Sequence, residues 1–457
     1  MKKYFHEVDT IIAQCTPQGA GALALLRMSG SDAVTIATQI SKLSSGKKLS
    51  DLPTHTIHFG SVTNQHGTPI DHVLFLLMRG PKTFTGEDTV EITTHNNQFI
   101  ISAIIERALA CGARLAQEGE FSKRAFLHGK IDLNQAEAIN ELIHAQTQQS
   151  LKASLAQLEG SLSHTLKTFE KDLLHALSLS EASFEFIEDE EIEFADQIKK
   201  IIDQTTTEIK KLKQSFGQQK QIREGIRIAL LGSVNAGKSS LFNLLLDEQR
   251  SIVTNIAGTT RDVVEAGQYT DGAYLTFVDT AGLRETENKI EQEGIKRSLQ
   301  QAHKADIILL VIDSSREQTQ EEKNIYQDIV NQFADKLLVI HNKSDLSNSQ
   351  NVFENTISIS CKTKKNIEAV TKKISEKIKK LFSECASPFL LNQRQYSKLL
   401  PIENHLKNVL LHLEGEAQYE LVSVHLKKSL EQLSELSGKT INQQAVDKIF
   451  SHFCVGK

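Results

Sequence analysis

The chain lacks the marks of several environments. It has five cysteines, Cys15, Cys111, Cys361, Cys385 and Cys454, an odd number at wide spacing with no CxxC pair. That excludes a disulfide frame and a zinc knuckle, and it predicts reduced thiols in a cytoplasmic compartment. No apolar run approaches the ~20 residues needed to span a bilayer. The opening MKKYFHEVDT contains no apolar stretch of the kind a signal peptide needs. Cys454 stands where a prenylation box would put it, but Val455-Gly456-Lys457 fits that box poorly and lipidation is rejected. A global basic field is also missing, since the formal net charge is -5. Any nucleic acid must therefore be met through a local patch.

What is present suits a globular protein. Hydrophobic residues make up 39% and charged residues 24% of 457 positions, enough for a buried core and, by length, about three domains. Residues 1–120 read as mixed α/β, with strand-like runs from Asp9 and from Ala22, turn signals at Gly30-Ser31-Asp32 and Pro81–Gly86, and a helix over Phe99–Cys111 stopped by Gly112. Residues 121–222 lose nearly all glycine and proline. Leu151, Leu155, Leu158, Leu162 and Leu166 recur at helical spacing, which predicts long amphipathic helices. The acidic stretch Glu185–Glu193 interrupts them and reads as a solvated connection.

Residues 223–385 alternate strands and helices, with strands expected at Ile226–Leu231, Tyr274–Val278, Ile307–Ile312 and Leu337–His341. This pattern implies a mostly parallel sheet. Residues 386–457 return to helical texture and are expected to pack on the helices of 121–222. The α/β segment would then be an insertion in a helical domain.

Four ordered motifs carry chemistry. Gly232-Ser233-Val234-Asn235-Ala236-Gly237-Lys238-Ser239 fits a phosphate-binding loop between a strand and a helix beginning at Ser240. Its backbone N–H groups would face phosphates, Lys238 would reach the β- and γ-phosphates, and Ser239 would ligate magnesium. Thr254–Asp262 follows as a switch-like loop in which Thr260 would complete the magnesium shell. Asp279-Thr280-Ala281-Gly282 ends the next strand, where Asp279 would hold the metal shell and Gly282 would offer its N–H to the γ-phosphate. Asn342-Lys343-Ser344-Asp345 caps a further strand. The Asp345 carboxylate would accept from guanine N1–H and its exocyclic amine, and Ser360-Cys361-Lys362 falls where a second base-contacting loop belongs. Together these predict guanine-nucleotide binding and hydrolysis. Gly438-Lys439-Thr440 also reads GKT, but no strand precedes it and a loop is expected.

Leu283 stands where a Ras-type enzyme places a water-orienting glutamine. Hydrolysis therefore needs an arginine in trans, a metal ion or a nearby acid. Asn235 with carbonyls near Thr254 and Ile256 could hold a monovalent cation against the phosphates. Glu291 could orient water, or could simply be a solvated helix residue. The closing Ile449-Phe-Ser-His452-Phe453-Cys454-Val-Gly-Lys457 is open to two readings: an exposed nucleophile at Cys454, or a frayed helix end.

The set GSVNAGKSS, IVTNIAGTTRD, DTAGLRE and NKSD, closed by FCVGK, resembles the bacterial tRNA modification GTPase family MnmE, also called TrmE. The resemblance extends to DTIIAQCTPQGAGALALLRMSG, FTGED and GEFSKRAFLHGKIDLNQAEAI, and so covers the whole chain. It implies a 5-formyltetrahydrofolate-binding and homodimer-forming domain over 1–120, a helical domain over 121–222 and 386–457, and an inserted Ras-like P-loop G domain over 223–385. At matching motif positions, Arg27, Glu87, Lys130 and Lys457 would bind the folate. Potassium would be held by Asn235 and carbonyls of Thr254, Ile256 and Thr259. Glu291 would help orient the attacking water, and Cys454 would serve the modification chemistry. The family works with a FAD-carrying flavoprotein, MnmG (GidA), as a heterotetramer, on C5 of the wobble uridine of certain tRNAs. The family's His-Gly-Gly reads His95-Asn96-Asn97 here, its Gly-Arg-Gly-Gly reads Gly19-Ala20-Gly21, and its phosphate-loop proline is Val234.

A GTPase switch in ribosome or RNA assembly, with no modification chemistry, is the competing reading. It predicts a basic RNA-binding module, which the sequence does not display, and no use for a cysteine at position 454.

Overall fold

The computed structural model describes residues 9–183, 191–218, 220–247, 264–270, 272–279, 299–346, 356–383 and 389–457. They form two compact units, Met1–Asn140 with Gln157–Thr206 and Ser397–Lys457, and Glu141–Ala156 with Thr207–Tyr396. The second unit thus interrupts the first in the chain.

The first unit is built on seven strands: β1 (Ile11–Gln14), β2 (Leu23–Ser29), β3 (Ser41–Leu43), β4 (Thr56–Thr63), β5 (Pro69–Met78), β6 (Thr89–His95) and β7 (Arg114–Leu115). Their order is β3-β4-β5-β6-β2-β1-β7, with all pairs antiparallel except β1 with β7. Alternation decides which face is buried. Leu26, Met28, Val73, Phe75, Leu77, Val90 and Ile92 point into a core covered by the helices Ala33–Ile40 and Gln98–Ala110. The second helix starts at Asn97, whose side chain accepts from Phe99 N. It stops before Gly112, at φ +105. On β4 and β5 the alternate residues Ile57, Phe59 and Leu74 stay exposed.

The unit's helices include Glu120–Leu127, Leu133–His144, Ser161–Ala182, Gln393–His412, Tyr419–Leu436 and Gln443–Phe450. The late helices do pack on the early ones. Ser180 Oγ donates to Tyr419 O at 3.0 Å and lies 2.9 Å from Ser423 Oγ. Val446, Phe450 and Phe453 share a core with Leu133 and Ala136. Gly438 follows the helix Tyr419–Leu436 in a turn, and Lys439 pairs with Glu170, so the second GKT is a loop as expected.

The second unit holds β8 (Ile226–Leu231), β9 (Val264–Thr270), β10 (Ala273–Asp279), β11 (Ile307–Asp313), β12 (Leu337–Asn342) and β13 (Ile357–Ser358) in the order β13-β12-β11-β8-β10-β9. All neighbours are parallel except β9 with β10. Every residue of β11 is buried, as a central parallel strand with helices on both faces requires. β9 escapes the sequence reading because Gly267 breaks its apolar pattern. The structure explains that glycine: a Cβ there would fall 1.9 Å from the Tyr274 hydroxyl on β10. Residues 141–156 join this unit through an antiparallel bridge from Thr147 to Ala273. Among the described residues, no helix is long and apolar enough to cross a membrane.

Candidate functional site

In the second unit, three loops meet at the carboxyl ends of β8, β11 and β12. The phosphate loop leaves β8 at Gly232 and enters the helix Lys238–Asp247. Asn235 and Gly237 adopt φ +60 and +95, which curls the loop so that its N–H groups can converge. Nothing larger than glycine fits at two points. A Cβ on Gly232 would lie 2.1 Å from Val311 O, and one on Gly237 would lie 2.1 Å from Asn342 Nδ2. Lys238 Nζ arches back to donate to Gly232 O at 2.8 Å and Ser233 O at 2.7 Å. This places an ammonium over the mouth of the loop, where phosphate oxygens can replace weaker carbonyl acceptors. Ala236 is buried, whereas Ser239 and Ser240 are exposed in the first helical turn.

Asn342 ties the three loops together. Its Nδ2 donates to Ala236 O at 2.9 Å, and its Oδ1 accepts from Cys361 N at 3.1 Å. Lys343, at φ +64, reaches Asp313 Oδ2 at 2.6 Å. Burial pushes the Asp313 carboxyl up, but the hydrogen bonds from Lys343 and Ser315 prevail and hold it below its usual value. Ser360 Oγ donates to Asp345 Oδ1 at 2.6 Å, which keeps the exposed Asp345 ionised to lower pH than an ordinary aspartate. Burial pushes the Cys361 thiol up to about 11, so it stays protonated and lines the loop as a small apolar group. Lys362 follows it, exposed.

Asp279 is the last residue of β10, and its backbone pairs with Leu230 and Val264. Thr254, Ile256, Thr259, Thr260, Gly282, Leu283 and Glu291 lie outside the described residues, as does Cys385. Of the magnesium and potassium ligands expected from sequence, Ser239 and Asn235 are described. Both sit on the phosphate loop or the first turn after it, with Asn235 exposed at a left-handed corner. That oxygen-donor setting beside phosphates suits hard cations.

The second constellation lies in the first unit, where residues far apart in sequence converge. Arg27 on β2 donates from Nε to Glu91 Oε1 at 2.8 Å, and its guanidinium carbon lies 5.5 Å from the Phe121 ring centroid and 5.8 Å from that of Phe84. Two residues along β2, Ser29 Oγ donates to Glu87 Oε2 at 2.8 Å, and Arg124 Nη1 lies 3.2 Å from Glu87 Oε1. Lys130 Nζ donates to Pro81 O at 2.8 Å. A Cβ on Gly86 would touch the Lys130 stem at 3.4 Å, so Lys130 and Glu87 border the same loop.

The chain terminus is pinned beside this group, which corrects the frayed-end reading. The helix stops at Phe450, and residues 451–457 run on as an ordered turn. Gly119 N donates to Cys454 O at 3.4 Å, Phe121 N donates to Lys457 O at 3.1 Å, and Glu118 bridges Val455. Cys15 Sγ donates to Gly456 O at 3.3 Å. Burial raises the Cys15 pKa, while the nearby positive charges of Arg27 and Lys457 oppose that shift. Arg27 and Lys457, 430 positions apart, thus both act electrostatically on one thiol. Cys454 itself is exposed.

Sequence reading missed Cys15, Gly119, Phe121 and Arg124. Only the glycine carried a signal. Gly119 has φ +64, and a Cβ there would strike Phe450 O at 2.5 Å, so the residue marks where the tail docks. Arg124 is almost fully buried yet charged, neutralised by Glu87, Glu120 and Asp9.

A mostly parallel sheet with a glycine-constrained phosphate loop, a lysine over its mouth and an Asn-Lys-Ser-Asp loop braced by Ser360 defines a P-loop GTPase, an enzyme that hydrolyses GTP. Comparison with known proteins narrows the class. The model of the MnmE helical domain matches residues 133–454, and that of the GTP-binding protein TrmE N-terminus matches residues 10–130. The chain is 38% identical to the tRNA modification GTPase MnmE of Ligilactobacillus salivarius, over 99% of this chain and 98% of that protein. It is 36% identical to the proteins of the same name from Christiangramia forsetii, over 98% and 99%, and Geobacillus kaustophilus, over 99% and 100%. The chain belongs to the MnmE (TrmE) family of tRNA modification GTPases.

Proposed function

We propose that this protein couples GTP hydrolysis to modification of C5 of the wobble uridine, position 34, in certain tRNAs, adding a carboxymethylaminomethyl-type group together with a FAD-carrying flavoprotein of the MnmG (GidA) kind. The observation that supports it best is the convergence of Arg27, Cys15 and Lys457 around an ordered tail that presents Cys454. A plain nucleotide switch has no use for that arrangement.

At the nucleotide site, Asp345 accepts from guanine N1–H and the exocyclic amine, with its carboxylate oriented by Ser360. Lys343 packs against Asp313 and walls the base. Lys238 and the N–H groups of Asn235–Ser240 take the phosphates. Mg2+ would be held by Ser239 with Thr260, and K+ by Asn235 with carbonyls of Thr254, Ile256 and Thr259; both would supply positive charge against the negative charge that builds on the leaving phosphate. Asp279 and Gly282 would border the γ-phosphate. Glu291 orients the attacking water, in place of the glutamine that Leu283 replaces.

In the first unit, Arg27 lies over the Phe84 and Phe121 rings, and Glu87, Lys130 and Lys457 would complete a mixed-charge rim with it. Such a rim suits a 5-formyltetrahydrofolate-type carrier, whose pteridine is flat and hydrogen-bonding and whose tail is anionic. The exposed Ile57, Phe59 and Leu74 suit homodimer formation by the same domain. The domain bounds proposed are 1–120, 121–222, 223–385 and 386–457, and the compartment is the cytoplasm.

Nucleoside mass spectrometry of tRNA from a deletion strain, with and without the flavoprotein, tests this function. Loss of the modified wobble uridine is expected; normal wobble nucleosides would sink it. GTP turnover in potassium against sodium tests the cation separately, and equal rates would remove that site.

A further inference from the structure

A whole-chain charge of -5 hides one strong asymmetry. Residues 362–383 contain eight lysines (362, 364, 365, 372, 373, 377, 379 and 380) and two glutamates (368 and 376), a net +6 that leaves -11 on the rest of the chain. The long helix Glu191–Gln218 makes the contrast: it carries five lysines balanced by five acids, as a merely solvated surface would.

The fold turns this segment into a continuous face. The helix Ile367–Ser383 buries Ile367, Val370, Ile374 and Ile378 in the core of the second unit, with Leu381 packed beside them. The lysines are therefore forced outward. Lys372 and Lys379 lie two turns apart on one line, about 10 Å along the axis. Lys373 and Lys380 run parallel to them, and Lys364 and Lys365 extend the stripe into the preceding loop. All six are exposed. Lys373 pairs with Glu376 at 2.8 Å, whereas Lys364, Lys372 and Lys379 are in no ion pair among the described residues.

We propose that this face docks the phosphate backbone of RNA, the tRNA substrate in particular; the proposal rests on the tRNA reading above. A protein partner would need apolar or aromatic anchors, and the exposed positions between 362 and 380 are lysine, glutamate, threonine, asparagine and alanine only. A row of lysines without arginine forks or stacking rings recognises phosphates by charge and reads no sequence. The stripe also begins just beyond the guanine-contacting loop Ser360-Cys361-Lys362. Ser360 and Lys365 exchange backbone hydrogen bonds at 3.2 and 3.1 Å, and Ser360 is the residue that braces Asp345. RNA on the stripe therefore bears on the loop that reads the base.

The test compares the full-length protein with a Lys364→Gln, Lys372→Gln, Lys379→Gln variant, leaving Lys362 intact, in binding to a tRNA transcript carrying uridine 34 across a salt series. Each lost phosphate contact should lower the slope of log K against log salt by about one, and the triple variant should bind roughly 10- to 100-fold more weakly near physiological salt. GTP turnover without RNA should stay within about twofold of wild type, since none of the three touches nucleotide. Unchanged affinity and slope in the variant would overturn the proposal while leaving the tRNA reading intact. Failure of the wild-type protein to bind tRNA at any salt would overturn both. Retained tRNA affinity with lost modification in cells would assign the face to an acidic protein and would equally overturn an RNA role.

Discussion

The two constellations in this chain are built in opposite ways. The nucleotide site is local. Each of its groups comes from a run of four to eight residues at the end of one parallel strand, and the backbone itself, bent at Asn235, Gly237 and Lys343, does much of the binding. The site beside the tail is assembled from afar: Arg27 from β2, Glu87 from a loop, Phe121 and Arg124 from a helix, and Lys457 from the terminus. A local site survives as a motif; an assembled site exists only when the chain has folded.

Lys238→Ala tests the local site at its strongest point. It removes the charge placed over the phosphate loop, and GTP turnover should fall by roughly 10³-fold or more. The melting temperature should hardly move, because the hydrogen bonds of Lys238 to the carbonyls of Gly232 and Ser233 stay within the phosphate loop itself. Turnover within tenfold of wild type would mean that the loop grips phosphate by its backbone alone.

Cys454→Ser tests the assembled site without disturbing its frame, since the side chain is exposed while the backbone carries the hydrogen bonds. tRNA modification should drop to background and GTP turnover should stay at the wild-type level. If modification persists, the tail is a structural strap and not a chemical one.

The same contrast explains what could be read in advance. The phosphate loop and the Asn342–Asp345 run specify chemistry through adjacent residues, so sequence alone located them and predicted the strands that carry them. The family resemblance was needed for Arg27, Glu87, Lys130 and Lys457, because no spacing links positions 27 and 457. Cys15 stayed hidden: its meaning is a hydrogen bond across 441 positions. The lysine stripe, passed over when no basic RNA-binding module was read from the sequence, was visible as letters but not as a face, since only burial of Ile367, Val370, Ile374 and Ile378 shows which way the lysines point. β9 was lost to a glycine whose reason lies on the neighbouring strand.

Gly119→Ala probes how firmly the assembled site is held. The new methyl would meet Phe450 O in a backbone already at φ +64, and relief requires the tail to move. A loss of ~1–3 kcal/mol is expected. It should appear as a lower melting temperature for the first unit and as weakened modification, with GTP turnover unchanged. If turnover fell in parallel, the two sites would be coupled more tightly than their separate construction suggests.

The smallest expected effect lies in the helices that frame the tail's unit. His405 Nδ1 faces His425 Nδ1 at 3.1 Å, and the His412 ring stacks on that of His425 at 5.5 Å. Burial is the main cause that holds both His405 and His425 below the ordinary histidine value, and Lys428 and the neighbouring imidazoles add to it. The acids on the facing helix, Glu170 and Glu181, are paired with Lys439 and Lys427. Because the folded-state values are lowered, the unfolded chain binds more protons. The cluster's contribution is full above about pH 6.5 and shrinks as the pH falls toward the folded-state values. Melting curves at about pH 8 and about pH 5.5 should show a fall of a few degrees attributable to it. His425→Gln, which keeps a polar side chain but cannot be protonated, should shrink that fall. An undiminished fall in the variant would place the acid sensitivity of this unit elsewhere, in carboxylates such as Asp9 and Glu120, which Arg114 and Arg124 hold below their usual values against the upward push of burial.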